Sequence, residues 1–191
     1  MAKKPSPFGE MPVAKSLLDF PRVLAPTAGV RVSPLCLGAM NFGDAWVDLM
    51  GKCDKKTTFE ILDYFYEQGG NFIDTWVTIL PSVKNNEHAN TPSANNYQNE
   101  ESETWLGEWM TERKNRDSIV LATKFTTLFP SHQTKPRQTV NHAGNATKSL
   151  RLSVEASLKK LQTEYIDLLY VHWWDFTTSV STLGSEESSP G

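Results

Sequence analysis

The sequence has few cysteines, no long apolar run and no excess of positive charge. Only Cys36 and Cys53 occur among 191 residues, too few for a disulfide framework, and we expect both thiols to be inert. No apolar stretch approaches the roughly 20 residues that a membrane helix needs. Nineteen Lys and Arg against 22 Asp and Glu give a net charge of -3, which argues against partners such as nucleic acid or anionic membranes.

The histidines lack the spacing of a metal site. None of the four stands at a zinc-ligand spacing from a cysteine or from another histidine; they are His88, His132, His142 and His172. The N-terminus carries lysines and prolines without the apolar segment of a secretory signal. We therefore expect a cytoplasmic protein without a bound metal.

Short apolar strands alternate with amphipathic helices along most of the chain. Residues 1–22 are predicted to be a mobile leader with one helical turn near Leu17, and a β-hairpin is predicted around the turn at 26–29. The strands are expected at residues 35–37, 71–74, 118–123 and 166–171, and the helices at 54–68, 100–114 and 145–161. This alternation predicts an α/β fold with a parallel sheet. Four such strands are about half of a (β/α)8 TIM barrel.

Each helix has a start signal and an apolar face. Asp54 and Asn145 are predicted to cap the first and third helices, and acidic residues at 100, 101 and 103 suit the positive end of the second. The apolar stripe of the third helix is expected to contain Leu150, Val154, Leu158 and Leu161.

Polar residues follow three of the predicted strands. Asp74 ends the second strand, Lys124 the third and His172 the fourth, and Tyr97 lies in the segment after Asp74. Because the carboxyl ends of parallel strands share one mouth, we expect these side chains to converge. A lysine next to a tyrosine favours the phenolate, an aspartate holds the lysine, and a histidine can orient a carbonyl oxygen. Each residue alone is more often solvated or structural, but four in this order favour a catalytic site.

Five motifs resemble those of the aldo-keto reductases, and more narrowly the fungal branch of aryl-alcohol dehydrogenases and norsolorinic-acid reductases. They are LCLGAMNFGDAW (35–46), GGNFIDT (69–75), ANNYQNEESETWLGEWM (94–110), IVLATKF (119–125) and YIDLLYVHWWD (165–175). The resemblance covers residues 23–180, which we expect to form the N-terminal half of a truncated barrel. Residues 181–191 are expected to be a polar tail outside the family pattern.

The resemblance implies NADPH-dependent reduction of an aldehyde or ketone in fungal secondary metabolism, without a metal. Its carbonyl substrate would be aromatic, polyketide or terpenoid-derived. The implied catalytic residues are Asp74, Tyr97 (the general acid), Lys124 and His172, and the implied cofactor-binding residues are Gly38, Met40, Asn41, Phe42 and Asp74. Trp46 and Trp173 would line the substrate mouth, although both could equally be packing aromatics.

The first departure from the family pattern lies between Asp74 and Tyr97. The family has these two residues close together, whereas 22 residues separate them here, of which 76–93 are surplus. Such an insert could be a genuine lid, since long loops often carry function. We prefer a retained intron, because codons for Thr75 to Val77 permit a GT start and a codon for Ser93 supplies the closing AG. The genomic sequence distinguishes these two interpretations.

The second departure is the tail at 181–191, which is rich in Ser, Gly and Glu. Such a composition cannot supply a crossover helix or a core face. A second unspliced intron, a frameshift or a nonsense change would explain it. Because the family's later strands hold most of the cofactor, an inactive truncated product is the function that we favour for this chain. The alternatives are an active reductase with a lid and a non-catalytic binding protein.

Overall fold

A computed structural model describes residues 13–75, 98–128 and 138–179. The predicted insert at 76–93, Tyr97 and the tail at 181–191 lie outside the described residues. Predictions about those segments therefore stay predictions.

A short helical turn and a hairpin precede the main sheet, as the sequence predicts. The 3-10 turn Leu17–Asp19 is capped by Ser16, whose hydroxyl accepts a hydrogen bond from the Leu18 amide and donates one of 2.7 Å to the carbonyl of Gln68. Strands β1 (Arg22–Val23) and β2 (Arg31–Val32) then pair antiparallel. The segment before the hairpin is thus tied to the C-terminal end of a later helix.

Four parallel strands form the main sheet in the order in which they occur along the chain. They are β3 (Cys36–Gly38), β4 (Phe72–Asp74), β5 (Val120–Phe125) and β6 (Leu168–Val171). The helices are α1 (Val47–Met50), α2 (Lys55–Glu67), α3 (Glu101–Arg113) and α4 (Thr147–Leu161). This confirms the α/β fold class and the parallel sheet; the short helix α1 was not predicted.

Strands β3 and β4 begin one residue later than predicted, and β5 and β6 begin two residues later. Residues 116–118 form a 3-10 turn, and β6 begins at Leu168. Arg116 explains both, because its guanidinium donates to the Ile119 carbonyl at 3.0 Å and to the Asp167 carboxylate at 2.8 Å. It also lies 3.8 Å from the ring centroid of Tyr165. These contacts fix the chain before both strands in a non-strand conformation.

The core lies between the sheet and its helices. Elements α2, β4, α3, β5 and α4 contribute most of its fully buried members, among them Leu62, Ile73, Leu106, Trp109, Leu121 and Leu161. The predicted cap of α2 is confirmed, since the Asp54 carboxylate accepts a hydrogen bond from the Thr57 amide at 3.0 Å. The predicted apolar stripe of α3 is largely buried as well, except that Trp105 is half-buried.

Helix α4 differs from its prediction at both its cap and its face. The N-cap position is Ala146, without a side-chain hydrogen bond, so the prediction that Asn145 caps α4 was wrong. The buried face is Ser149, Ser153, Ser157 and Leu161, whereas Leu150, Val154 and Leu158 are half-buried. Because serine side chains are small, α4 can pack closely against its neighbours along this face. The predicted apolar residues therefore lie at the edge of the buried face and not at its centre.

Gly107 permits the close approach of α3 to α4. A methyl group at Gly107 would overlap the carbonyl oxygen of Lys160 and lie 2.7 Å from the carbonyl carbon of Leu161. Replacing Gly107 by Ala should therefore lower the free energy of unfolding by about 2 kcal/mol, because overpacking outweighs the better helix propensity of Ala. Urea denaturation measures the change.

Gly38→Ala is the matched control for this prediction. A methyl group at Gly38 meets nothing within 4 Å, so its effect should stay within about 0.5 kcal/mol. Equal stability of the two variants would contradict the packing argument.

Candidate active site

Asp74, Lys124 and His172 lie at one end and on one face of the parallel sheet. Asp74 pairs in register with Ala122, two residues before Lys124, and Lys124 pairs with Tyr170, two residues before His172. Because side chains alternate between faces along a strand, these spacings place all three on the same face. The sequence-predicted convergence of these three residues is therefore present in the structure.

Asp74 and Lys124 form a buried ion pair. The Lys124 ammonium donates a hydrogen bond to the Asp74 carboxylate. Lys124 is only 4% exposed and Asp74 only 6%. Burial raises the pKa of Asp74 and lowers the pKa of Lys124, and the mutual attraction of the pair opposes both shifts. Each charge thus stabilises the charged form of the other against the effect of burial.

Two further side chains on this face contribute to the environment of the pair, and the sequence analysis did not select them. Desolvation and the Asp74 carboxylate raise the pKa of the Cys36 thiol to about 12, which favours the protonated thiol at neutral pH. The Lys124 ammonium lies 5.1 Å from the ring centroid of Tyr170. Strand alternation was the signal that could have found both, since Tyr170 is in register with Lys124 and Cys36 precedes Gly38 by two.

His172 is a neutral imidazole beside this pair. Desolvation, and then the positive charge of Lys124, lower the pKa of His172 to about 4. Its ring stacks on Trp173 with centroids 5.4 Å apart, and its buried Nδ1 atom has no hydrogen-bond partner among the described residues. A neutral imidazole in this position can donate a hydrogen bond to a ligand oxygen.

Asn145 ties together the two loops that follow β5 and β6. Its side chain accepts a hydrogen bond from the Thr126 hydroxyl and donates one of 3.0 Å to the Trp173 carbonyl. The same Thr126 hydroxyl accepts one of 3.3 Å from the His172 amide. The Asp175 carboxylate accepts a hydrogen bond of 2.9 Å from the backbone amide of Asn145. Several such hydrogen bonds hold the pKa of Asp175 well below the usual range. The residue predicted as a helix cap is instead a brace behind His172.

The remaining predicted residues lie at the end of β3 and in the loop that follows it, and the start of α3 holds this loop. Gly38 and Asn41 are exposed, Met40 is half-buried, and Phe42 is 3% exposed within the hydrophobic core. Trp46 is half-buried, and its amide donates to the Gln98 side chain at 2.7 Å.

Tyr97 lies just before a backbone segment with unusual geometry. Gln98, Asn99 and Glu100 all have positive φ, at 50°, 54° and 79°. Non-glycine residues rarely adopt this conformation, and it tends to occur where the surrounding structure imposes it. The contacts from Gln98 to the amide of Trp46 and from Glu101 to the amides of Asp44 and Ala45, at 2.7 and 3.1 Å, impose it here.

Comparison with known proteins identifies the family. The model of the Aldo/keto reductase family matches residues 34–187. The chain belongs to the aldo/keto reductase family. The family resemblance given by the sequence motifs is thereby confirmed.

Several similar curated proteins come from fungi. The chain is 56% identical over 162 residues to norsolorinic acid reductase B of Dothistroma septosporum, covering 85% of this chain and 36% of that protein. It is 48% identical to an aldo-keto reductase of Aspergillus calidoustus, covering 92% of this chain and 40% of that protein. It is 49% identical to a Saccharomyces cerevisiae protein named as an aryl-alcohol dehydrogenase, covering 91% and 73%. The chain thus spans well under half the length of the first two relatives.

A solved structure shares the fold. A Pseudomonas aeruginosa protein described as an aldo-keto reductase superimposes with a TM-score of 0.54 at 26% identity, over 82% of this chain and 47% of that protein.

Within the described ranges, no helix is both long and apolar enough to cross a membrane. In the same ranges, no group of three or more His, Cys, Asp or Glu side chains could hold a metal ion.

Replacing Lys124 by Met should make stability depend more strongly on pH. The variant leaves the Asp74 carboxylate buried without its partner, which should cost about 3 kcal/mol at pH 7. Since its raised pKa makes folded Asp74 bind more protons than the unfolded chain, the free energy of unfolding should fall further as pH rises above the ordinary Asp value of about 3.9. Urea denaturation between pH 5 and 7 measures this.

The double variant Asp74→Asn/Lys124→Met should recover much of the lost stability, because no charge remains buried. Lys159→Met, at an exposed position of α4, controls for the loss of a lysine. A loss in Lys124→Met that is the same at every pH would contradict the ion-pair argument.

His172 should titrate with a midpoint near 4, as measured by NMR, with His172→Gln identifying its signal. Because the unfolded chain binds the proton more readily, this group should make the protein more stable as pH rises from about 4 to about 6.5. Lys124→Met should move the midpoint upwards by removing a neighbouring positive charge. A midpoint near 6.5 in the unmodified chain would contradict the assigned environment.

Proposed function

We propose that this chain carries the proton-donor half of a cytoplasmic, NADPH-dependent carbonyl reductase. The observation that carries the proposal is the buried Asp74–Lys124 pair with neutral His172 on the same sheet face, in a chain of the aldo/keto reductase family. An ammonium held by a carboxylate provides a fixed positive charge in a region of low polarity, where electrostatic effects are strong.

In this proposal, Tyr97 is the general acid that gives its proton to the carbonyl oxygen of the substrate. Lys124 lowers the cost of the resulting phenolate, and Asp74 keeps Lys124 charged and in place. His172 is neutral at pH 7 and donates a hydrogen bond to the same carbonyl oxygen, which orients the substrate. The proposed reaction needs a proton donor, a fixed positive charge and a neutral hydrogen-bond donor. Tyr97, the Asp74–Lys124 pair and His172 have these chemical properties, in that order.

The described residues fit one part of the cofactor. Gly38 faces open space at the end of β3, in register with Asp74, because a Cβ atom there would meet nothing within 4 Å. A planar ring can lie against such a position. We propose that Gly38, Met40, Asn41 and Asp74 would contact the nicotinamide end, with Phe42 supporting the loop from the core. When bound, NADPH supplies a hydride to the carbonyl carbon.

The carbonyl substrate is proposed to be an aromatic or polyketide-derived aldehyde or ketone, with terpenoid-derived ketones as the wider class. Two relatives are named for norsolorinic acid or for aryl alcohols, which are aromatic compounds. Trp173 stacks on His172 and offers a flat surface next to the hydrogen-bond donor. Trp46 would line the opposite side of the mouth.

We propose that the 191-residue chain as a separate polypeptide is an incomplete barrel and does not turn over substrate. Among the described residues, β3 and β6 each pair with one neighbouring strand only. Leu169, Tyr170 and Val171 of β6 remain 37%, 37% and 46% exposed. Closing a TIM barrel takes eight strands, and the other strands would supply the rest of the cofactor site. Residues 76–93 remain proposed as a retained intron, with a lid as the alternative.

The test follows NADPH oxidation by absorbance with an aromatic aldehyde. The unmodified chain and a deletion of residues 76–93, which brings Tyr97 to five residues after Asp74, should both be inactive. A fusion of the deletion variant to the C-terminal half of a norsolorinic acid reductase should turn over, because only this fusion protein positions the nicotinamide. In it, Tyr97→Phe should lower the rate by about 10²- to 10⁴-fold.

Tyr165→Phe is the matched control, because the Tyr165 hydroxyl donates a hydrogen bond to Asp117 within the 3-10 turn that precedes β5, at the other end of the strand from Lys124. It should leave the rate of the fusion protein unchanged. Tyr97-dependent turnover by the unmodified chain would overturn the proposed inactivity, and a fusion protein indifferent to Tyr97→Phe would overturn the proposed proton donor.

A further inference from the structure

A buried carboxylate lies behind the sheet, on the side opposite the Asp74–Lys124 pair. The Glu103 side chain of α3 is fully buried. One of its oxygens accepts a hydrogen bond of 2.7 Å from the Thr123 hydroxyl, and the other accepts one of 3.2 Å from the Ser157 hydroxyl. The Lys160 ammonium lies 2.9 Å from the second oxygen. Such a complete set of partners is what a buried charge requires.

This carboxylate is connected to both strands that carry the ion pair. Thr123 immediately precedes Lys124, and Thr75 immediately follows Asp74. The Thr75 hydroxyl donates to the Thr123 hydroxyl at 3.1 Å, so a hydrogen-bonded chain runs from Glu103 through β5 to the end of β4. Neighbouring residues of a strand point to opposite faces, and fixing Thr75 and Thr123 therefore fixes Asp74 and Lys124 on the other face.

The Glu103 charge also acts on Lys124 through the sheet. Among the described residues, the groups that act on the Lys124 ammonium include Asp74 of β4, Cys36 of β3, Tyr170 and His172 of the β6 strand and its end, and Glu103 of α3. Glu103 opposes the effect of burial and raises the pKa of Lys124, and it acts from the side that substrate does not reach. Lys160 offsets part of this negative charge.

We propose that Glu103 is a positioning residue for the reaction: through Thr123 and Thr75 it fixes the strand ends that bear Asp74 and Lys124, and it places a carboxylate behind Lys124. The inference rests on the proposed function for its purpose, but the geometry and the charge can be measured without turnover. The sequence motif predicted only that Glu103 would favour the start of α3.

The experiment titrates the Lys124 side chain by NMR in the full 191-residue chain with isotope-labelled lysine, with Lys124→Met identifying the signal. Glu103→Gln should move the Lys124 midpoint downwards, because the remaining Lys160 charge disfavours the ammonium. Lys160→Gln should move it upwards, because it uncovers the Glu103 charge. Glu112→Gln, at an exposed position of the same helix, is the matched control and should leave it in place.

The opposite directions of the two expected shifts in the Lys124 midpoint distinguish the charge effect from a purely structural role of Glu103. Both substitutions break the same buried pair, so a structural role would produce shifts of one sign or none, and that result would overturn the charge effect. If Glu103→Gln does not fold, Lys160→Gln still tests the charge effect, because the absence of an upward shift in the Lys124 midpoint would contradict that effect.

The positioning effect has its own test. Thr123→Val removes the hydroxyl that joins Glu103 to Thr75 and should speed the exchange of the Lys124 ammonium protons with water, whereas Thr123→Ser should restore slow exchange. Equal exchange rates in both variants would overturn the positioning claim. Failure of NADPH turnover in the fusion protein, with these signals shifting as expected, would overturn the proposed function and leave this inference intact.

Discussion

The buried pair between Asp74 and Lys124 is the constraint on which the site depends. Each side chain would be costly to bury alone, and their attraction offsets this cost only while the ends of β4 and β5 are held in register. Strand register depends in turn on core packing on the other face, by residues such as Ile73 and Leu121. The fold is therefore a precondition for the charges, and the charges add little stability of their own.

Helix α3 is the element that organises this end of the sheet. At its start, Gln98 and Glu101 accept hydrogen bonds from the loop after β3, and the Ser102 hydroxyl donates to the Ala39 carbonyl at 2.7 Å. The next residue, Glu103, reaches β5 and α4. The positive φ angles at residues 98–100 are compatible with this role, because the contacts on both sides of them hold the backbone in place.

Local sequence signals predicted what depends on local structure. Strand order, the Asp54 cap and the shared face of Asp74, Lys124 and His172 follow from periodicity and from the geometry of parallel strands. The function of Asn145 and the burial of Glu103 did not follow, because both depend on partners distant along the chain. A serine stripe has no hydrophobic period, so the buried face of α4 became evident only from its close packing against α3 at Gly107.

The chemistry of the site and its completeness are separate properties. The Asp74–Lys124 pair, the neutral His172 imidazole and the hydrogen bonds that support them all lie within the four-stranded sheet, its loops and its helices. Each of these contacts joins neighbouring strands, the loops that follow them, or a strand and a helix packed behind it. A cofactor has to be held along its whole length, however, and a reactive geometry tolerates errors of only about 1 Å. Asp74, Lys124 and His172 can therefore come together in a chain that, as proposed, does not reduce a carbonyl by itself, because hydride delivery would depend on contacts beyond these strands.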